Sequence, residues 1–87
     1  MESHREFAQK FLAAYSKPDA SEYERHLVAI ARRWVTFLDS PNPSPDEVAQ
    51  VLSELRAPVP EDYGSGWLDL RMGFEWWARE AGLERPP

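Results

Sequence analysis

Apolar positions in this chain recur at helical spacing in four stretches, and no stretch alternates with the period of two that marks a strand. The first stretch predicts a helix over 2–16. Phe7, Ala8, Phe11, Ala14 and Tyr15 share one face of it, and Ser3 followed by Glu6 is a capping-box signature. Pro18 ends it, because the residue before a proline is pushed out of helical geometry.

The second helix is the longest, over 20–38, capped by Asp19 with Glu22 or by Ser21 with Glu24. Tyr23, Leu27, Ile30, Trp34, Phe37 and Leu38 form its main stripe, and Val28 and Val35 widen it, which predicts a central place in the bundle. The break Asp39-Ser40-Pro41-Asn42-Pro43 leads to a third helix over 45–56, with Ser44 as N-cap, Pro45 at the first helical position and Glu47 two further on. Its stripe of Val48, Val51, Leu52 and Leu55 is narrow and suits a peripheral helix. Ala57-Pro58-Val59-Pro60 forbids helix, and a loop through Gly64-Ser65-Gly66 reaches the fourth, over 67–81. Gly82 is placed for a left-handed C-cap with Leu83 as its hydrophobic companion, and 84–87 reads as a loose tail. The fold class is therefore all-α, a compact four-helix bundle-like single domain with short Pro- and Gly-containing connections.

The fourth helix has two apolar stripes. At about 100° per residue, Trp67, Leu70, Phe74, Trp77, Ala78 and Ala81 fall on one side. Leu68, Met72, Trp76 and Leu83 fall nearly opposite, the first three forming a ridge at i, i+4, i+8. Arg71 and Glu75 separate the stripes along one edge; Asp69, Gly73 and Glu80 do so along the other. Two readings stand. Either the helix is sandwiched and both stripes are core, with Gly73 admitting a close neighbour, or the ridge docks a partner or a second copy of the chain. Trp, Met and flanking Arg are enriched at interface centres, which favours treating Leu68, Asp69, Met72, Glu75, Trp76, Glu80 and Leu83 as candidate partner-binding residues.

Composition agrees with a folded chain: 43% of the 87 residues are apolar and 29% charged. The absence of cysteine removes thiolate metal sites, disulfides and cysteine nucleophiles, and suits a reducing compartment. The N-terminal apolar run Phe11–Tyr15 is too short for a secretory core, and no run spans a membrane, so the expected location is cytoplasmic. Net charge is −5, all of it carried by residues 44–87. Such acidity disfavours direct contact with nucleic acid and favours a protein partner with a basic rim around an apolar groove.

Candidate chemistry is sparse. His4 and His26 sit on different helices without a second ligand at metal spacing, and a surface pair with Glu22 accounts for His26. Gly64-Ser65-Gly66 lacks the flanking glycines of a nucleophile elbow and the lysine of a phosphate loop, so Ser65 or Gly66 reads as a cap for the last helix. The acid pairs Asp46-Glu47 and Glu61-Asp62 are accounted for by a helix N-terminus and a solvated loop. Arg25, Arg32 and Arg33 cluster on a polar helix flank, as ion pairs or a solvated face do, and the connections around the third helix are too long for a helix-turn-helix. The 33-residue spacing of Trp34 and Trp67 lacks the companion positions of a tetratricopeptide repeat. No catalytic residue, metal or cofactor is expected. The function expected is a non-catalytic interaction module, as a homodimer in one version. The alternative is a small acidic inhibitor that masks a basic nucleic-acid-binding surface on another protein, as phage-encoded antagonists do.

Overall fold

The computed structural model describes residues 3–61 and 63–84. Residue 2, where the first helix was expected to begin, residue 62 of one acid pair, and residues 85–87 of the expected tail lie outside that range. Among the described residues there are four helices and no strand: α1 (His4–Tyr15), α2 (Glu22–Asp39), α3 (Pro45–Arg56) and α4 (Gly66–Glu80).

Each helix start is set locally. The hydroxyl of Ser3 accepts from the Glu6 N–H, and that of Ser44 from the Glu47 N–H. At α2 the cap is Ser21, and the box is complete: Glu24 N–H donates to Ser21 Oγ at 3.1 Å, and Ser21 N–H donates to Glu24 Oε1 at 3.0 Å. The start of α4 differs from expectation, because Ser65 occupies the cap position in a helical conformation and its side chain makes no capping bond. Its end follows expectation. Gly82 has φ 70°, Leu83 N–H donates to Ala78 O at 2.8 Å, and Gly82 N–H donates to Arg79 O at 3.1 Å, the paired bonds of a Schellman turn.

The core is continuous and aromatic. Leu27, Ile30, Ala31, Trp34 and Phe37 of α2 meet Trp67, Leu70, Phe74, Trp77 and Ala78 of α4, and Val48, Val51, Leu52 and Leu55 of α3 close one side. Trp34 is fully buried, with Phe74 at 5.5 Å and Trp77 at 6.4 Å between ring centroids. The central position is shared: α2 carries the widest buried stripe, while α4 packs on α1, α2 and α3 alike. Two alanines depart from their expected faces. Ala14 of α1 and Ala81 at the end of α4 are exposed, whereas Leu12 of α1 is half-buried against the core.

α1 and α4 run antiparallel, since His4 at the start of α1 pairs with Glu80 at the end of α4. They approach closely at Gly73, where an added Cβ would lie 2.4 Å from Phe7 Cε1. A second close approach is at Gly66, where a Cβ would lie 2.7 Å from the Tyr23 hydroxyl and 2.9 Å from that of Tyr15. The neighbour that Gly73 admits is thus α1, on the edge of α4 and not on its ridge.

Candidate functional site

The two faces of α4 have different fates. Trp67 and Trp77 are buried at 5% and 7% exposure, whereas Leu68, Met72 and Trp76 are exposed at 52%, 59% and 60%. Adjacent residues on a helix point about 100° apart, so burying Trp77 against Phe37 turns Trp76 outward. The sandwiched reading of α4 therefore does not hold, because among the described residues no element covers Leu68, Met72 and Trp76. Leu83 does not extend the ridge. The Schellman turn folds it back, half-buried, onto the core.

Beside the ridge lies a groove of about 740 Å³ between α1 and α4. Phe7, Phe11 and Ala14 form its α1 wall, and Met72, Gly73 and Trp76 its α4 wall. Gly73 and Gly66 line it without side chains of their own, so the Phe7 ring and the Tyr15 hydroxyl come close to the α4 backbone there. Sequence reasoning missed this α1 wall. Phe7, Phe11 and Ala14 share one face of α1, but periodicity on one helix does not say which neighbour that face meets.

The charged residues among the candidate partner-binding positions are mostly engaged within the chain. Glu75, with its side chain only 13% exposed, accepts from Arg56 Nε at 2.6 Å and pairs with Arg71 at 3.5 Å. Glu80 pairs with His4, whose ring stands edge-on to Trp76 at 5.8 Å between centroids. Asp69 is exposed. Glu84, read from sequence as the start of a loose tail, is held by Arg56 and Arg79, each donating at 2.6 Å. The hydrogen bond from Arg56 holds the Glu84 carboxyl below its ordinary value of 4.5, assisted by Arg79, and the same bond raises Arg56 above its own.

At the other end of the groove three tyrosines stack. Tyr15 lies 6.4 Å from Tyr23, and Tyr23 lies 4.8 Å from Tyr63 at an interplanar angle of 12°. Burial raises the Tyr23 pKa, and the charge of Tyr15 adds to it. His26 belongs to this cluster and not to a surface pair with Glu22: its Nδ1 lies 3.1 Å from the Tyr63 hydroxyl and its ring 4.7 Å from that of Trp67. Of the three arginines on α2, Arg33 reaches across to Glu54 of α3 at 3.0 Å.

No polar or charged side chain is buried among the described residues, and no group of three or more His, Asp or Glu gathers at metal-binding distance there. No helix is long and apolar enough to cross a membrane among those residues. What the α1/α4 face offers chemically is apolar area, aromatic edges and shape. The charged residues lining its groove balance, Lys10 and Arg79 against Asp69 and Glu75. No family model, curated protein or solved structure matches the chain.

Proposed function

We propose that this chain is a non-catalytic, cytoplasmic protein-interaction module that docks through the Leu68/Met72/Trp76 ridge and the groove beside it. The observation that carries this reading is the exposure of those three large apolar side chains on one continuous ridge, while the rest of the helix buries its indoles. A contiguous apolar patch of this kind on a small chain marks a contact surface. Withdrawing the exposed Trp and Met area from water contributes roughly 3–5 kcal/mol before the entropy of association is subtracted. Asp69 is the rim charge available to a partner, since Glu75 is paired with Arg56 and Glu80 is hydrogen-bonded to His4 within the chain.

A photoreactive phenylalanine analogue in place of Met72 tests this in cells, with the same analogue at the exposed Ala29 of α2 as control. A discrete protein adduct from position 72 and none from position 29 is the expected result. No adduct from position 72, or the same adduct from both, removes the reading.

The second reading, an acidic inhibitor of a basic nucleic-acid-binding surface, draws on the net charge of −5 carried by residues 44–87. With the groove's own charges in balance, such an inhibitor would use acids elsewhere on the chain. Salt separates the two: a charge mimic loses affinity steeply as ionic strength rises, and an aromatic-anchored contact loses little.

A further inference from the structure

We propose that the occupant of the α1/α4 groove is a second copy of this chain, the ridge of each copy lying in the groove of the other. This rests on the docking reading above and names its partner. Three features of the face favour it. Ridge and groove are contiguous, because Met72 and Trp76 belong to both. A convex strip beside a concave one is self-complementary under a two-fold axis, as an isologous contact requires.

Charge is the second feature. The whole chain carries −5, which opposes self-association, yet the charged residues lining the groove are Lys10 and Arg79 against Asp69 and Glu75. A locally neutral face with both signs on it meets its own copy without net repulsion. A partner recognised by steering would instead call for one dominant sign.

Area is the third. Stable specific interfaces take about 800 Å² from each partner. The ridge is three residues on a helix about 22 Å long, too little by itself against a flat surface. A two-fold arrangement uses the ridge-in-groove contact twice and brings α1 and α4 of both copies into the interface.

The test is solution mass by light scattering for the full chain, over concentrations spanning micromolar to millimolar dissociation constants. Helical content is followed by circular dichroism. Wild type is expected to rise toward twice 10.1 kDa. Trp76→Glu and Met72→Glu are each expected to keep wild-type helicity and weaken association at least about tenfold. Val59→Glu, at an exposed apolar site outside this face, is expected to associate as wild type does. If Trp76→Glu loses helicity, Met72→Glu carries the comparison. Wild type monomeric throughout, or a dimer indifferent to both substitutions, overturns the proposal. The photoadduct from position 72 keeps the two readings apart. An adduct with a different protein from a monomeric chain sinks only the second copy, and no adduct at all sinks the docking surface with it.

Discussion

Phe7 rests on Gly73 so closely that a single methyl group on the glycine would lie 2.4 Å from the ring's Cε1 and 2.9 Å from its Cδ1. Phe11 at 5.4 Å and Trp34 at 5.8 Å, centroid to centroid, stand on two of its other sides, so the ring can yield only toward the groove it lines. Gly73→Ala gains about 1 kcal/mol of helix propensity, but forcing the ring aside costs about 1–3 kcal/mol. The substitution is expected to destabilise the chain by about 1 kcal/mol in urea unfolding. With Phe7→Ala already in place, the same change is expected to stabilise by about 1 kcal/mol, since only the propensity gain is left. The reversal of sign is the measurement that checks the contact.

Trp76 and Trp77 are adjacent in sequence and opposite in consequence. Trp77 stacks on Phe37 at 6.0 Å with an interplanar angle of 5° and is 7% exposed, while Trp76 is 60% exposed. Trp77→Ser is expected to cost about 3–5 kcal/mol, a large part of the total stability of a small domain. Trp76→Ser, at a concentration where the chain is monomeric, is expected to change stability by about 0.5 kcal/mol or less. Chemical denaturation of both variants reads the difference directly. Equal losses would mean that the ridge is packed in solution.

Helical spacing, bounded by caps, prolines and Gly82, was enough to place all four helices and nearly all of the core. Val48, Val51, Leu52 and Leu55 recur at intervals that leave α3 only one face to bury, and all four are buried. The same spacing separated the ridge of α4 from its core stripe but did not say whether anything covered the ridge. That depends on which helix lies where, and the answer rests on contacts far apart in sequence, such as Phe7 with Gly73. The groove was illegible for the same reason, as was the aromatic cluster of Tyr15, Tyr23, Tyr63 and His26. Side chains on separate segments meet there only once α1, α2 and the loop before α4 have packed. Rim charges were likewise visible as residues but not as pairs, so the engagement of Glu75 by Arg56 and of Glu80 by His4 had no sequence signal.

Two of the serines expected to cap their helices behave differently, and mutation should show it. Ser21 exchanges two hydrogen bonds with Glu24, whereas Ser65 makes no side-chain capping bond. Ser21→Ala is expected to lower stability by about 1 kcal/mol. Ser65→Ala, losing no bond, is expected to stay within about 0.3 kcal/mol of wild type. Thermal unfolding of the two variants side by side checks this, and a comparable loss in both would show that Ser65 caps α4 in solution.

Acid should act on this chain through two glutamates in particular. The backbone N–H of Ser21 first, then Lys17, hold Glu24 below its ordinary value of 4.5. Arg56 first, then Arg79, hold Glu84 below the same value. A carboxylate whose folded-state pKa is depressed adds stability that is complete above its unfolded value and disappears as pH falls through the folded one. Both contributions are therefore present at neutral pH and fade below about pH 4.5. Glu84→Gln keeps the shape of the side chain and removes its charge. It is expected to melt below wild type at about pH 7 and to converge with it on acidification below about pH 4.5. High salt should narrow the gap at neutral pH, because these pairs are partly solvated and screened. Glu24→Gln is expected to show a smaller gap, because a glutamine at that position still accepts from Ser21. Melting curves for the three proteins across that range decide it. Parallel curves for wild type and Glu84→Gln, with no convergence on acidification, would show that the Arg56–Glu84–Arg79 network contributes nothing in solution.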